Sequence, residues 1–147
     1  MNVGLDNRTA APPRPDFAAA LAAFNEARDT LNAAREVLDL AQAEQAAAVN
    51  ALPERRRGHP DELRAISDRL DLAGKGAAVF AARTAVTTAL AVLMDAPAPD
   101  FPALVEKLKA AAEAPSSSAV RARGHLDALL ADSQRLRLSL ATPAGEA

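Results

Sequence analysis

The chain has no cysteine, tryptophan or tyrosine, and its 147 residues include only two histidines, two methionines and four phenylalanines. Each shortage removes a class of chemistry. Without cysteine there is no disulfide, no thiolate nucleophile and no sulfur-ligated metal. A catalytic or structural metal centre needs three or four convergent ligands, and His59 and His125 are a thin supply. Bundles that hold two irons use inward-facing Glu-x-x-His pairs, and that tetrapeptide does not occur here. The near-absence of aromatics leaves little on which nucleic-acid bases could stack. Charge of one sign is also missing: 17 basic residues face 19 acidic ones for a net charge of −2, so no whole-molecule field draws the protein to nucleic acid or an anionic membrane.

Apolar runs are short as well. Met1 to Asp16 carries Pro12, Pro13 and Pro15 and lacks the apolar centre of a secretory signal, so residues 1–14 read as a flexible arm. Its Pro12-Pro13-Arg14-Pro15 text contains P-x-x-P and serves more simply as a spacer than as a polyproline ligand. The stretch from Gly76 to Met94 comes nearest to a membrane span, but it contains Arg83 and is dominated by alanine and threonine. A central arginine costs about 2.5–3.5 kcal/mol on insertion scales, and alanine offers little to offset it, so a buried helix of a soluble protein is expected. No signal and no span make the cytoplasm the default location.

What the chain has in excess is alanine, roughly a quarter of all residues and well above ordinary usage. Alanine loses no side-chain entropy in a helix, whereas strands favour the β-branched and aromatic residues that are scarce here. An all-α fold follows. A single helical domain is expected over 15–141, with helices at about 16–52, 60–95, 100–114 and 117–140 and a tail over 142–147. Pro15-Asp16-Phe17 opens the first helix, and nothing interrupts it for about 37 residues, or about 55 Å.

Within that helix large residues recur every seventh position at Phe17, Phe24, Leu31, Leu38 and Leu52, with Gln45 in the same series. Three residues after each of the first five positions, Gln45 included, stands a small one, at Ala20, Ala27, Ala34, Ala41 and Ala48. Both series fall on one stripe in the manner of a coiled-coil seam, and alanine at alternate seam positions lets a facing helix approach to the short end of the usual range. Pro53 to His59 then reverses the chain, and Pro60-Asp61-Glu62 starts the second helix with carboxylates at its positive end. Gly74 and Gly76 are expected to bend this helix. Its second half, apolar or small nearly all round, is expected at the bundle centre. The last helix is read with a seam of Ala122, Leu126, Leu129, Ser133, Leu136 and Leu140. The expected architecture is an antiparallel hairpin with an alanine-rich coiled-coil seam and a broken third helical layer, an up-down bundle.

Sites of chemistry are sparse. His125-Leu126-Asp127 places two ligand types two residues apart, but on a helix these point about 200° apart and cannot share a metal. Gly74-Lys75-Gly76 lacks the first glycine, the Ser or Thr and the preceding strand of a phosphate loop. No G-x-S-x-G elbow is present, and Ser116 to Ser118 read as helix caps. Glu26, Glu36 and Glu44 read as solvated face residues. No catalytic, cofactor or metal site is therefore expected.

Two features remain. Arg55-Arg56-Arg57, joined by Arg64, concentrates positive charge at the hairpin tip, where it can grip phosphate or simply complement a helix C-terminus. Arg121, Arg123, Arg135 and Arg137 on the last helix alternate faces and make no single stripe, while Leu130 and Leu138 lie off its seam. The leading expectation is a non-enzymatic protein acting through association, with itself or in a larger assembly, through a surface that includes Leu130 and Leu138. The alternative is a nucleic-acid-associated factor using Arg55 to Arg57. Short alanine-rich helical chains are frequent among accessory proteins of phages and mobile elements, so an assembly-bound or virion setting is a background expectation.

Overall fold

The computed structural model describes residues 13–114 and 119–141. Residues 1–12 of the proline-bearing arm, Ser116 to Ser118 and the tail from Thr142 lie outside them. The described chain is an all-α bundle of five helices: α1 (Phe17–Ala51), α2 (Pro60–Arg69), α3 (Leu72–Asp95), α4 (Phe101–Glu113) and α5 (Ala119–Ala141).

The helices α1, α3 and α4 each start where an aspartate side chain accepts an orphan backbone N–H. Asp16 accepts from Ala19 at 3.0 Å to begin α1, and Asp100 accepts from Ala103 at 2.8 Å to begin α4. At the far end of α1, Leu52 leaves helical geometry ahead of Pro53, whose ring cannot continue the ladder. The chain then turns back, and α1 packs chiefly along α3. Gln45 Nε2 donates to Ser67 Oγ at 3.0 Å, while Val86 shares a cavity wall with Phe24 and Leu31. The first meeting is with α2 and the second with α3, so the two helices together run back antiparallel to α1.

The sequence reading of one helix over 60–95, bent at its glycines, is corrected. The break falls earlier, at Leu70 and Asp71. Asp71 adopts left-handed geometry (φ 49°, ψ 46°), which ends α2 and re-aims the chain, and its carboxylate caps α3 by accepting from Gly74 N at 3.2 Å. Lys75 Nζ reaches back to the Leu70 carbonyl at the end of α2. A Cβ on Gly74 would stand 2.4 Å from an Asp71 carboxylate oxygen, so this glycine makes room for the cap and does not supply the bend. Asp tolerates left-handed geometry better than most residues because its short polar side chain bonds locally. Asp71→Ala is therefore expected to lower unfolding free energy by about 1–2 kcal/mol, measured by urea denaturation; an unchanged midpoint would show the joint to be held by something else.

The core sits toward one end of the hairpin. Phe24 (1% exposed), Leu93 (0%), Val86, Leu90 and Met94 meet Ala103, Leu104 and Ala110 of α4 and Leu129 and Leu136 of α5. Toward the other end, among the described residues, the core thins to Ala41 and Ile66. α4 and α5, the two pieces of the third layer, lie side by side and antiparallel: Lys107 meets Asp132, and Leu108 meets Leu126 and Leu129.

Two further expectations are corrected. The stretch beyond Gly76 does supply Val79, Val86, Leu90, Leu93 and Met94 to the core, but it is not enclosed on all sides. Leu72–Asp95 is the one helix among the described residues long and apolar enough to cross a membrane, with mean hydropathy 1.7, yet only 28% of its most apolar stretch is buried. Phe80 stands 73% exposed on its outer side. The α5 seam also differs. Leu129 and Leu136 are buried, but Leu126 (59%) and Leu140 (75%) are exposed, and the position between the buried leucines is held by Asp132 in place of Ser133.

Candidate interaction surfaces

A charged contact at the centre of the bundle sets the rotation of α4 and α5. Lys107, 1% exposed, directs its ammonium to Asp132 Oδ2 at 2.6 Å, the Met94 carbonyl at 2.9 Å and the Ala96 carbonyl at 2.7 Å. All three N–H donors are used. Asp132 Oδ2 also accepts from Ala98 N at 3.3 Å, and Oδ1 accepts from Arg135 at 3.3 Å. Arg135 donates in turn to the Ala98 carbonyl. One network thus ties the end of α3, the linker through Ala98, α4 and α5 together, and no buried side-chain polar atom among the described residues lacks a partner. Neither Lys107 nor Asp132 was singled out from sequence. The available signal was positional: Lys107 interrupts an apolar series of Ala103, Leu104, Ala110 and Ala111, all at helical spacing.

With that rotation fixed, α4 and α5 turn a second apolar surface outward. Phe101 (42% exposed), Val105 (46%) and Leu108 (48%) follow one stripe of α4, and Leu126 (59%) and Leu130 (58%) stand on the adjacent face of α5. Between the helices runs an open groove of about 300 Å³ walled by Leu108, Ala112, Ala122, Leu126 and Leu129. His125 lines it too, while Asp127 is exposed, so the two do not converge. Leu130 belongs to this surface. Leu138, 70% exposed, lies eight residues on, about 80° around the axis, on a different face.

α1 also has an outward apolar side. Beyond the seam series from Phe17 to Leu52, every member of which is buried or half-buried, Val37 (50%) and Leu40 (65%) are exposed. Glu26, Asp29, Glu36 and Glu44 are exposed as well. On the edge nearer α4, Arg28 bonds Glu113 at 3.2 Å, and this hydrogen bond raises the guanidinium further above its ordinary range.

The arginine tip is largely occupied by the fold. Arg57 donates to the carbonyls of Leu52 and Asn50, both at 2.9 Å, and so closes the C-terminus of α1. Arg56 pairs with Glu62 at 3.0 Å. Arg55 and Arg64 are exposed and join none of the ion pairs found among the described residues. His59 precedes α2 without a side-chain cap bond. Among the described residues no three His, Asp or Glu side chains come together to hold a metal.

Fold and surface together define an all-α helical bundle with exposed apolar faces. No family model, curated protein or solved structure matches this chain.

Proposed function

We propose that the protein works by association and not by catalysis, as a self-assembling, accessory or structural component of a larger assembly. The observation that carries this reading is the set of large hydrophobics on α4 and α5, Phe101, Val105, Leu108, Leu126 and Leu130, each 42–59% exposed, with Leu108 and Leu126 on the walls of an open groove. Single exposed leucines are ordinary on a soluble protein, whereas a contiguous apolar patch marks a contact surface. The α1–α3 pair is read here as an alanine-seamed coiled coil, a rod on which such a surface is held rigidly. A cytoplasmic or assembly-bound location goes with this reading.

The arginine tip is the weaker basis for function, because two of its three guanidinium groups are engaged internally. Light scattering and native mass spectrometry test the proposal, together with capture from the source organism. The expected result is a concentration-dependent oligomer, or a stoichiometric partner lost when Leu126 and Leu130 are changed to serine. A strict monomer with no such partner would overturn it.

A further inference from the structure

The outer surfaces of α5 and α1 have the same pattern with opposite charge. On α5, Arg123, Leu126, Leu130 and Arg137 recur at steps of three, four and seven, so they form one stripe on one face. Leu126 and Leu130 are more than half exposed, and both arginines are exposed. On α1, Val37, Leu40 and Glu44 recur at steps of three and four, and Asp29 and Glu26 lie on the same outward side toward the N-terminus. Val37 and Leu40 are at least half exposed. Each stripe therefore holds two apolar residues between charged ends, basic on α5 and acidic on α1. Glu44, Glu26, Arg123 and Arg137 take part in none of the ion pairs found among the described residues, whereas Asp29 already pairs with Arg28 at 3.4 Å.

The spacing matches as well as the sign. Arg123 to Arg137 spans 14 residues, about 21 Å along a helix, and Glu44 to Asp29 spans 15, about 22 Å. Laid antiparallel, with Leu126 and Leu130 over Leu40 and Val37, the two helices bring Arg123 beside Glu44 and Arg137 within a turn of Asp29 and Glu26. The complement of each surface is thus carried by the chain itself, and a second copy supplies it.

We infer that the protein self-associates by docking α5 of one copy antiparallel on the outer face of α1 of another. This deepens the association proposed above and rests on it. Two different surfaces meet, so the contact is of the head-to-tail kind, which gives a ring if the rotation closes and an open filament if it does not. The leucine and valine contacts supply most of the attraction, and the rim charges set register and salt sensitivity.

The test is sedimentation velocity over a rising concentration series, with circular dichroism to check that each variant stays folded. All of the altered residues are exposed. The wild-type chain is expected to associate, more weakly in high salt. Arg123→Glu and Glu44→Lys are each expected to weaken association roughly tenfold, and Leu126→Ser with Leu130→Ser to abolish it. An equimolar mixture of the R123E and E44K chains regains it, because each offers the surface that the other's intact helix needs. A wild-type monomer throughout, or association indifferent to these changes, or loss with R123E but not with E44K, overturns the pairing. A monomer that still captures a stoichiometric partner through Leu126 and Leu130 overturns self-association and leaves the broader proposal standing.

Discussion

Changing Lys107 to methionine, or Asp132 to alanine, is expected to lower the unfolding free energy by about 3–5 kcal/mol, the usual cost of stripping one member from a buried ion pair. Domains of this size are stable by only about 5–15 kcal/mol in total, so either change removes a large share. In K107M the Met94 and Ala96 carbonyls lose their donor as well, and Asp132 keeps only Ala98 N and Arg135. In D132A a buried ammonium is left with two carbonyls. The double change K107M with D132A removes both charges, which cancels the penalty of an unpaired one. It is expected to recover part of the loss and to remain about 1–3 kcal/mol below wild type, because the two carbonyls are still orphaned. Urea denaturation of the four proteins closes the cycle. Additive losses would mean that the two groups do not act as a pair.

The second large effect belongs to Phe24. It is 1% exposed and lines two neighbouring cavities on one side of α1, with Val86 of α3 in the wall of one and Ala110 of α4 in the wall of the other. Phe24→Ala is expected to cost about 3–5 kcal/mol, the transfer of the ring together with the void it leaves among alanines too short to fill it. Phe80→Ala is the natural control, since its ring is 73% exposed. That change is expected to stay within about 0.5 kcal/mol. Similar losses at both positions, read from denaturation midpoints, would show that the bundle does not use α1 as described.

How much of this was legible beforehand depended on how each feature is encoded. The inner face of α1 is written twice, once in large residues and once in alanines, over five turns of the seven-residue period. Its register therefore survives the high background of alanine. The joint at Asp71 is written once, in a single Asp-x-x-Gly text inside a helix-forming run, and the left-handed geometry that breaks the helix has no periodic signature. The glycines drew attention there, yet they lie in α3, and the residue that turns the chain is the aspartate three positions earlier. Periodicity also misplaced the α5 seam, because a strict alternation of four- and three-residue steps runs from Leu129 to Ser133 and passes over Asp132. The buried aspartate makes sense only beside Lys107, 25 residues away, and that pairing is visible only in three dimensions. The outer faces were hidden for a simpler reason: a sequence shows that Leu40 and Leu126 are apolar, but not which neighbour, if any, covers them.

The uneven distribution of buried residues has a consequence for how the molecule yields. Where α1, α3, α4 and α5 meet, around Leu93, backbone bonds are shielded by several layers of side chains. The opposite end rests on buried Ala41 and Ile66, the amide-to-hydroxyl bond between Gln45 and Ser67, and the surface bonds of Arg56 and Arg57. Opening of a structure starts where the fewest apolar contacts must be given up. The rod thus has a soft end and a hard end: amide hydrogens near the arginine-bearing turn and α2 exchange through partial opening, while those around Leu93 are released only when the whole molecule unfolds.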